Sequence, residues 1–322
     1  MLRASSTASR RRRAWIVASV TAALALAPAA FGQATKKATG TSAKPASTLE
    51  RIKKAGTIKL GYRTDARPFS YQDPSGKPAG YSVELCQAVA EEVKSELKLP
   101  GLKIDWVPVT VENRLEAVAR QDIDIQCGAV SVTLERRKQV DFSLPMFPGG
   151  VGALVRSDAP ARLRDILSGG AKNYSPTWRA VALNIVREQT FATVPGTTAE
   201  QWLKQRGKEL QVEAVIDPVP SYEAGIQAVL DRKANVFFAE RAILLEAVRR
   251  NASSKKLLVI DRQYTYEPLA LPVSRSDEDF RLVVDQALSR FYRSDFRATY
   301  TKYFGEPDEA AITFYRWNAL PN

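Results

Sequence analysis

Residues 145–150 read Pro145-Met146-Phe147-Pro148-Gly149-Gly150, a break in an otherwise regular alternation of strands and helices. Prolines and glycines at this density end both helices and central strands, so the chain is expected to cross here from one folding unit to another. Upstream, Thr57–Tyr62 (TIKLGY), Lys103–Val109 and Ile123–Gly128 (IDIQCG) read as strands. Tyr81–Leu97 and Glu112–Arg120 read as helices, with Leu115, Val118 and Ala119 on one face of the second. Downstream the rhythm restarts, with strands at Phe191–Val194, Val212–Ile216, Asn235–Phe238 and Leu257–Ile260 and helices at Thr198–Gln205, Tyr222–Leu230 and Ala242–Val248. Helices at Asp277–Tyr292, Phe296–Phe304 and Glu309–Trp317 close the chain. Strands alternating with helices of this length argue for βαβ units and parallel sheets. Two such sets around one break predict two α/β lobes.

The 322 residues hold Lys+Arg 47 against Asp+Glu 35 and His 0, with 45% hydrophobic and 25% charged residues. This is a globular composition, and the length exceeds one ordinary core. With no histidine, and Cys86 and Cys127 the only cysteines, no zinc site of normal ligand count and no histidine-assisted nucleophile can be assembled. The formal charge of +12 is concentrated at the front, where residues 1–49 carry eight bases and no acid, leaving 39 bases against 35 acids in the remainder. Those are interspersed, without a basic stripe, so no nucleic-acid partner is expected. No phosphate-binding glycine loop and no solenoid repeat is present, and no metal or cofactor is expected.

Arg10 to Arg13 form a basic segment ahead of an apolar run, Ala14 to Ala27, and Gly32-Gln33-Ala34 offers small residues where a signal peptidase reads. Residues 1–34 are therefore expected to be a leader cleaved after Ala34, with Ala29 and Ala30 as alternatives, and the mature protein to be periplasmic. Residues 35–47 are a polar linker with no core-forming pattern. An oxidising compartment permits Cys86 and Cys127 to bridge, which would stabilise the fold by about 4 kcal/mol. Two buried free thiols are the other reading.

Several motifs then occur in order. Thr48-Leu49-Glu50-Arg51-Ile52 is followed by Gly61-Tyr62-Arg63, Pro68-Phe69-Ser70-Tyr71 and Gly80-Tyr81-Ser82. Cys127-Gly128-Ala129-Val130-Ser131-Val132-Thr133-Leu134-Glu135-Arg136 leads to Asp141-Phe142-Ser143, and Gly196-Thr197-Thr198 precedes Phe237-Phe238-Ala239-Glu240-Arg241. Over residues 48–305 the chain resembles the polar amino-acid-binding proteins of ABC importers, the family 3 solute-binding proteins, and among them the glutamate/aspartate binders. That resemblance implies a two-lobed periplasmic-binding-protein fold, each lobe a mostly parallel sheet flanked by helices, joined by a two-stranded hinge. It places residues 48–147 and 268–322 in lobe 1, 152–263 in lobe 2 and the hinge near 148–151 and 264–267.

The resemblance also assigns roles. Arg136 would take the ligand's α-carboxylate, which suits a planar bidentate donor; read alone, Arg136-Arg137-Lys138 is a solvated helix face. Ser131 would be the first-lobe hydroxyl contact and Thr198 the second-lobe one. Thr197-x-x-Glu200 is by itself a capping box, and a capped N-terminus also presents free N–H groups to an anion. Gly128 would let backbone approach the ligand. Arg63 and Arg114 match positions that take a side-chain carboxylate, and two cations facing one pocket repel unless an anion lies between them. Glu240 stands where the family usually has the aspartate that binds the α-ammonium. Phe69 and Tyr71 are candidates for the pocket floor or plain core. The segment 168–189 is longer than usual.

The leading expectation is a non-enzymatic, monomeric receptor that binds glutamate or aspartate between closing lobes and serves an inner-membrane ABC permease. The alternatives are a cyclohexadienyl-dehydratase-like enzyme on the same scaffold, with Glu240 as general acid, and a soluble ligand sensor.

Overall fold

A computed structural model of the chain describes residues 46–169, 183–212 and 214–321. The expected leader, residues 35–45 of the linker and residues 170–182 of the longer segment lie outside the described residues. The Ser47 side chain caps the helix Thr48–Ala55 in a reciprocal capping box with Glu50.

Two five-stranded sheets account for the alternation. In the first, Thr57–Tyr62 is an interior strand, parallel to Lys103–Pro108 on one side and Ile125–Cys127 on the other. Ile58 and Leu60 are fully buried. The helix Tyr81–Glu96 lays Leu85, Cys86, Val89, Ala90 and Val93 into the core, at the spacing of one helical face. Pro272–Val273 and Asp141–Phe142 complete this sheet in antiparallel pairing. In the second sheet, Val215–Pro218, Thr190–Thr193 and Val236–Glu240 run parallel, while Val151–Arg156 is antiparallel to both Val236–Glu240 and Leu257–Val259. Parallel pairing thus holds for three strands of each sheet. The strand leaving the crossing points away from it, and Val236–Glu240 runs back toward it, so Val151 lies opposite Glu240.

Between the sheets lies a third, in which Glu267–Ala270 pairs antiparallel with Phe147–Gly149 and with Val130–Ser131. The chain crosses and returns side by side here: Tyr264 N–H donates to Val151 O at 2.8 Å, Val151 N–H to Thr265 Oγ1 at 2.9 Å, and Gln263 Nε2 to Gly149 O at 3.0 Å. A Cβ on Gly150 would lie 1.9 Å from Thr265 O, so only glycine allows the two segments this close. A small sheet of Asp65–Ala66, Ser70–Gln72 and Pro78–Ala79 was not foreseen, since two- and three-residue strands carry no readable period.

The C-terminal helices Glu278–Ser294, Phe296–Phe304 and Glu309–Asn318 return to the first lobe. There Tyr315 OH donates to Met146 O at 2.9 Å and meets Tyr81 OH at 2.8 Å. Cys86 and Cys127 are joined by a disulfide that ties the helix Tyr81–Glu96 to the strand Ile125–Cys127. Among the described residues no helix is long and apolar enough to cross a membrane.

Candidate functional site

The first lobe brings three arginines to its hinge-facing edge. Arg63 follows the strand Thr57–Tyr62, Arg114 opens the helix Arg114–Ala119, and Arg136 opens a short 3-10 turn, its N–H donating to Thr133 Oγ1 at 3.1 Å. They retain only 4%, 4% and 9% exposure, which for guanidinium groups requires a reason. Arg136 is therefore not on a solvated face. Its NH1 donates to Ser131 O at 2.9 Å and its NH2 reaches across to Gly196 O in the second lobe at 3.3 Å. Burial holds its pKa below the usual arginine range, opposed by the charge of Glu267. Arg114 has no partner at Nε, and burial together with the charges of Arg136 and Arg63 lowers it to about 9. Arg63 forms an ion pair with Asp65, Nε to Oδ1 2.9 Å, while its buried NH1 has no partner.

The second lobe answers with hydroxyls and helix N-termini. Thr197 caps the helix Thr198–Leu210 by accepting from Glu200 N–H at 3.3 Å and donates to Val194 O at 2.7 Å. The reciprocal arm reaches one residue further than a capping box, Glu200 Oε2 accepting from Gly196 N–H at 2.9 Å. Thr198 Oγ1 lies 3.3 Å from Ser131 Oγ, directly across the cleft. Tyr222 begins the helix Tyr222–Leu230 behind its cap Ser221, and the Arg63 Cζ sits 6.0 Å from its ring centroid. Burial raises the Tyr222 hydroxyl's pKa, while Arg63 and Arg114 pull it back.

Glu240 stands at the hinge. Its Oε2 accepts from Gly150 N–H at 2.9 Å and its Oε1 from Ala242 N–H at 3.4 Å, so the carboxylate caps the helix Arg241–Arg250 and ties it to the crossing. The residue keeps some exposed surface, but burial of the carboxylate pushes its pKa up to about 8, with Glu267 adding to the rise. Glu267 Oε1 accepts from Thr265 Oγ1 at 2.6 Å, and its buried Oε2 has no partner.

Arg114, Ser131, Arg136, Thr198, Tyr222 and Glu240 line one interlobe space of about 20 Å³, room for about one water. Arg63 is not in its wall but acts on Arg114 and Tyr222 through its charge. Phe69 is elsewhere: it is fully buried, edge-on to Phe147 at 5.0 Å and packed on Tyr81 and Phe304. Gly128 is accounted for locally, since a Cβ there would meet Gln126 Nε2 at 2.6 Å. A larger cavity of about 1000 Å³ lies in the second lobe beside Trp202, Phe238 and Tyr264. Five basic residues, Arg187, Lys204, Arg206, Lys208 and Arg262, and no acidic one also line it, but they belong to one lobe and do not meet a second across the hinge. Sequence reading missed Tyr222, whose only signal was an aromatic just after a serine cap, and it missed Asp65 and Glu267.

Arginines from one α/β lobe meeting helix N-termini from another across a hinge define a two-lobed solute-binding protein. The chain belongs to the bacterial extracellular solute-binding proteins, family 3, whose family model matches residues 58–306. It is 31% identical over 262 residues to an L-glutamate/L-aspartate-binding protein of Pseudomonas aeruginosa, covering 81% of this chain and 80% of that one. It is 26% identical over 245 residues to a cyclohexadienyl dehydratase of the same organism, covering 75% and 80%. Among solved structures, an ancestral amino-acid-binding protein described as a precursor of cyclohexadienyl dehydratase superposes with a TM-score of 0.65 at 26% identity, over 80% of this chain and all of that one.

Proposed function

We propose that this protein is an extracytoplasmic receptor that binds an acidic amino acid, glutamate or aspartate, between its lobes and delivers it to a membrane permease of an ABC importer. The observation that carries this reading is the convergence of the nearly buried Arg114 and Arg136 on one interlobe space, with the buried Arg63 near enough to act on Arg114 through its charge. Like charges in so dry a setting repel, and an anion with two carboxylates relieves them best. Arg136, Ser131 and the N-terminus at Thr198 would take the α-carboxylate, and Arg114 with Arg63 the side-chain carboxylate. Glu240 would take the ammonium, whose arrival favours the ionised form that burial now disfavours. The Pseudomonas aeruginosa glutamate/aspartate-binding relative supports the same ligand class. Entry of a ligand requires the Ser131–Thr198 contact to part, and reclosure around it is the signal a permease would read. The leader over residues 1–34 would place the mature monomer in the periplasm.

A ligand panel read by thermal shift tests this. Glutamate or aspartate at 100-fold above its dissociation constant should add about 2.7 kcal/mol of stability, while lysine and arginine add none. No shift with either acid, at millimolar concentration, sinks the proposal.

One observation favours a second reading. A Glu240 pKa of about 8 keeps that carboxyl protonated at neutral pH inside a closed site, the state a general acid needs. A dehydratase acting through Glu240 would turn over prephenate or arogenate, and detecting that turnover would replace the receptor assignment.

A further inference from the structure

Arg63 already has an anion. Asp65 lies two residues on, past a bend at Thr64, and its Oδ1 accepts from Arg63 Nε at 2.9 Å and also from NH2. The arginine side chain is 5% exposed and its partner 32%, so the pair sits at the edge of the cleft with its cation turned in. Asp65 opens a two-residue strand against which the second-lobe helix Tyr222–Leu230 packs, and its charge acts on both Arg114 and Tyr222. Arg63 NH1 remains buried without a partner.

Resting on the acidic-ligand reading, we propose that Asp65 is a built-in counter-ion that sets how tightly this site holds an acidic side chain. It cancels one guanidinium before ligand arrives. That spares the unliganded protein a buried unpaired cation and places a like charge near the ligand's side-chain carboxylate, which weakens binding. The device acts on a charged side chain and not on a neutral one of the same size. It therefore trades affinity for release, as a carrier that must surrender its cargo requires.

Isothermal titration with glutamate and glutamine as probes, on the wild type and Asp65→Asn, tests it. Asparagine keeps an acceptor for Arg63 and removes the charge. Glutamate is expected to bind about tenfold tighter to Asp65→Asn, a gain of about 1.4 kcal/mol, that shrinks as salt is raised. Glutamine is expected to stay within about twofold. Glutamate affinity that is unchanged or weaker in Asp65→Asn overturns the proposal, because Asp65 would then be only a strut for Arg63. Asp65→Glu, which keeps the charge, is expected to bind glutamate within about threefold of wild type. A tenfold gain there overturns it too. A wild type that binds neither glutamate nor aspartate defeats the acidic-ligand reading itself, whereas a wild type that binds glutamate while Asp65→Asn gains nothing defeats only the role of Asp65.

Discussion

The two faces of the cleft are made of opposite chemistry. The first lobe contributes guanidinium groups at Arg63, Arg114 and Arg136, while the second contributes the hydroxyls of Thr197, Thr198 and Tyr222 on two helix N-termini. Glu240 stands where the faces meet. A buried cation is costly and must be held in place, and the arginines rise from the more heavily braced lobe. That lobe has a disulfide, the aromatic cluster of Phe69, Tyr81, Phe147 and Phe304, and the three C-terminal helices. The other face spends only groups that helix ends possess in any case, their free N–H donors and capping side chains. The division implies that a ligand is first caught by charge on the braced lobe and then covered by dipoles on the other.

The sharpest way to break that division is Arg136→Ala. Arg136 is the arginine that touches both lobes, through Ser131 O and Gly196 O. Its removal is expected to abolish binding of every amino acid, a loss on the order of 5 kcal/mol or several thousandfold, read by isothermal titration. A variant that still binds glutamine normally would mean that the α-carboxylate is held by the second lobe.

Bracing is tested next. Replacing both cysteines, Cys86→Ser with Cys127→Ser, opens a 41-residue loop and is expected to cost about 4 kcal/mol, measured by urea unfolding. The strand that carries Cys127 leads directly to Gly128 and Ser131, so affinity should fall too, but by less than stability does. An unfolding midpoint that does not move would remove the disulfide from the account of the stiffer lobe.

The meeting point of the faces makes a prediction about pH. Glu240 has a folded pKa of about 8 against an ordinary value of 4.5. Between those limits the folded protein holds a proton that the unfolded chain has lost, so stability falls as pH rises through that window and levels off above about 8. The loss from pH 5 to pH 8 is roughly 3 kcal/mol. Glu240→Gln should flatten that part of the profile, leaving the same-direction contribution of Asp285, whose pKa burial raises to about 6. Parallel profiles for wild type and variant would mean that the carboxylate is solvated and unavailable as an ammonium site.

How much of this was legible in the sequence follows the same division. Thr57–Tyr62 and Tyr222–Leu230 could be read to the residue because β-branched alternation and helical spacing extend over six or more positions. Arg63, Arg114 and Arg136 could be singled out because they fall at positions matched by the resemblance to the amino-acid-binding family, whereas their burial became visible only in the structure. Phe69 could not be placed, because an aromatic beside a pocket and one behind it share the same local pattern. Asp65 and Glu267 went unread because their roles depend on contacts that sequence spacing leaves open, in particular which atom of Arg63 lacks a partner and how close the returning hinge strand comes. Glu240 could be singled out as a ligand group, but its contacts with Gly150 and Ala242 N–H could not, because they are visible only once Val151 and Glu240 are paired.

The smallest effect separates the two helix ends of the second lobe. Thr197→Ala and Ser221→Ala each remove one capping acceptor, from Glu200 N–H and Ala224 N–H, and each should cost about 1 kcal/mol of stability. On the proposed reading the first end takes the α-carboxylate that all amino acids share, while Tyr222 at the second lies against Arg63 and feels the charge of Arg114. Thr197→Ala is therefore expected to weaken glutamate and glutamine alike by a few fold, and Ser221→Ala to weaken glutamate more than glutamine. Equal, ligand-independent losses in both variants would mean that the two N-termini act through the stability of the lobe alone, and the second face would then be a lid with no part in recognition.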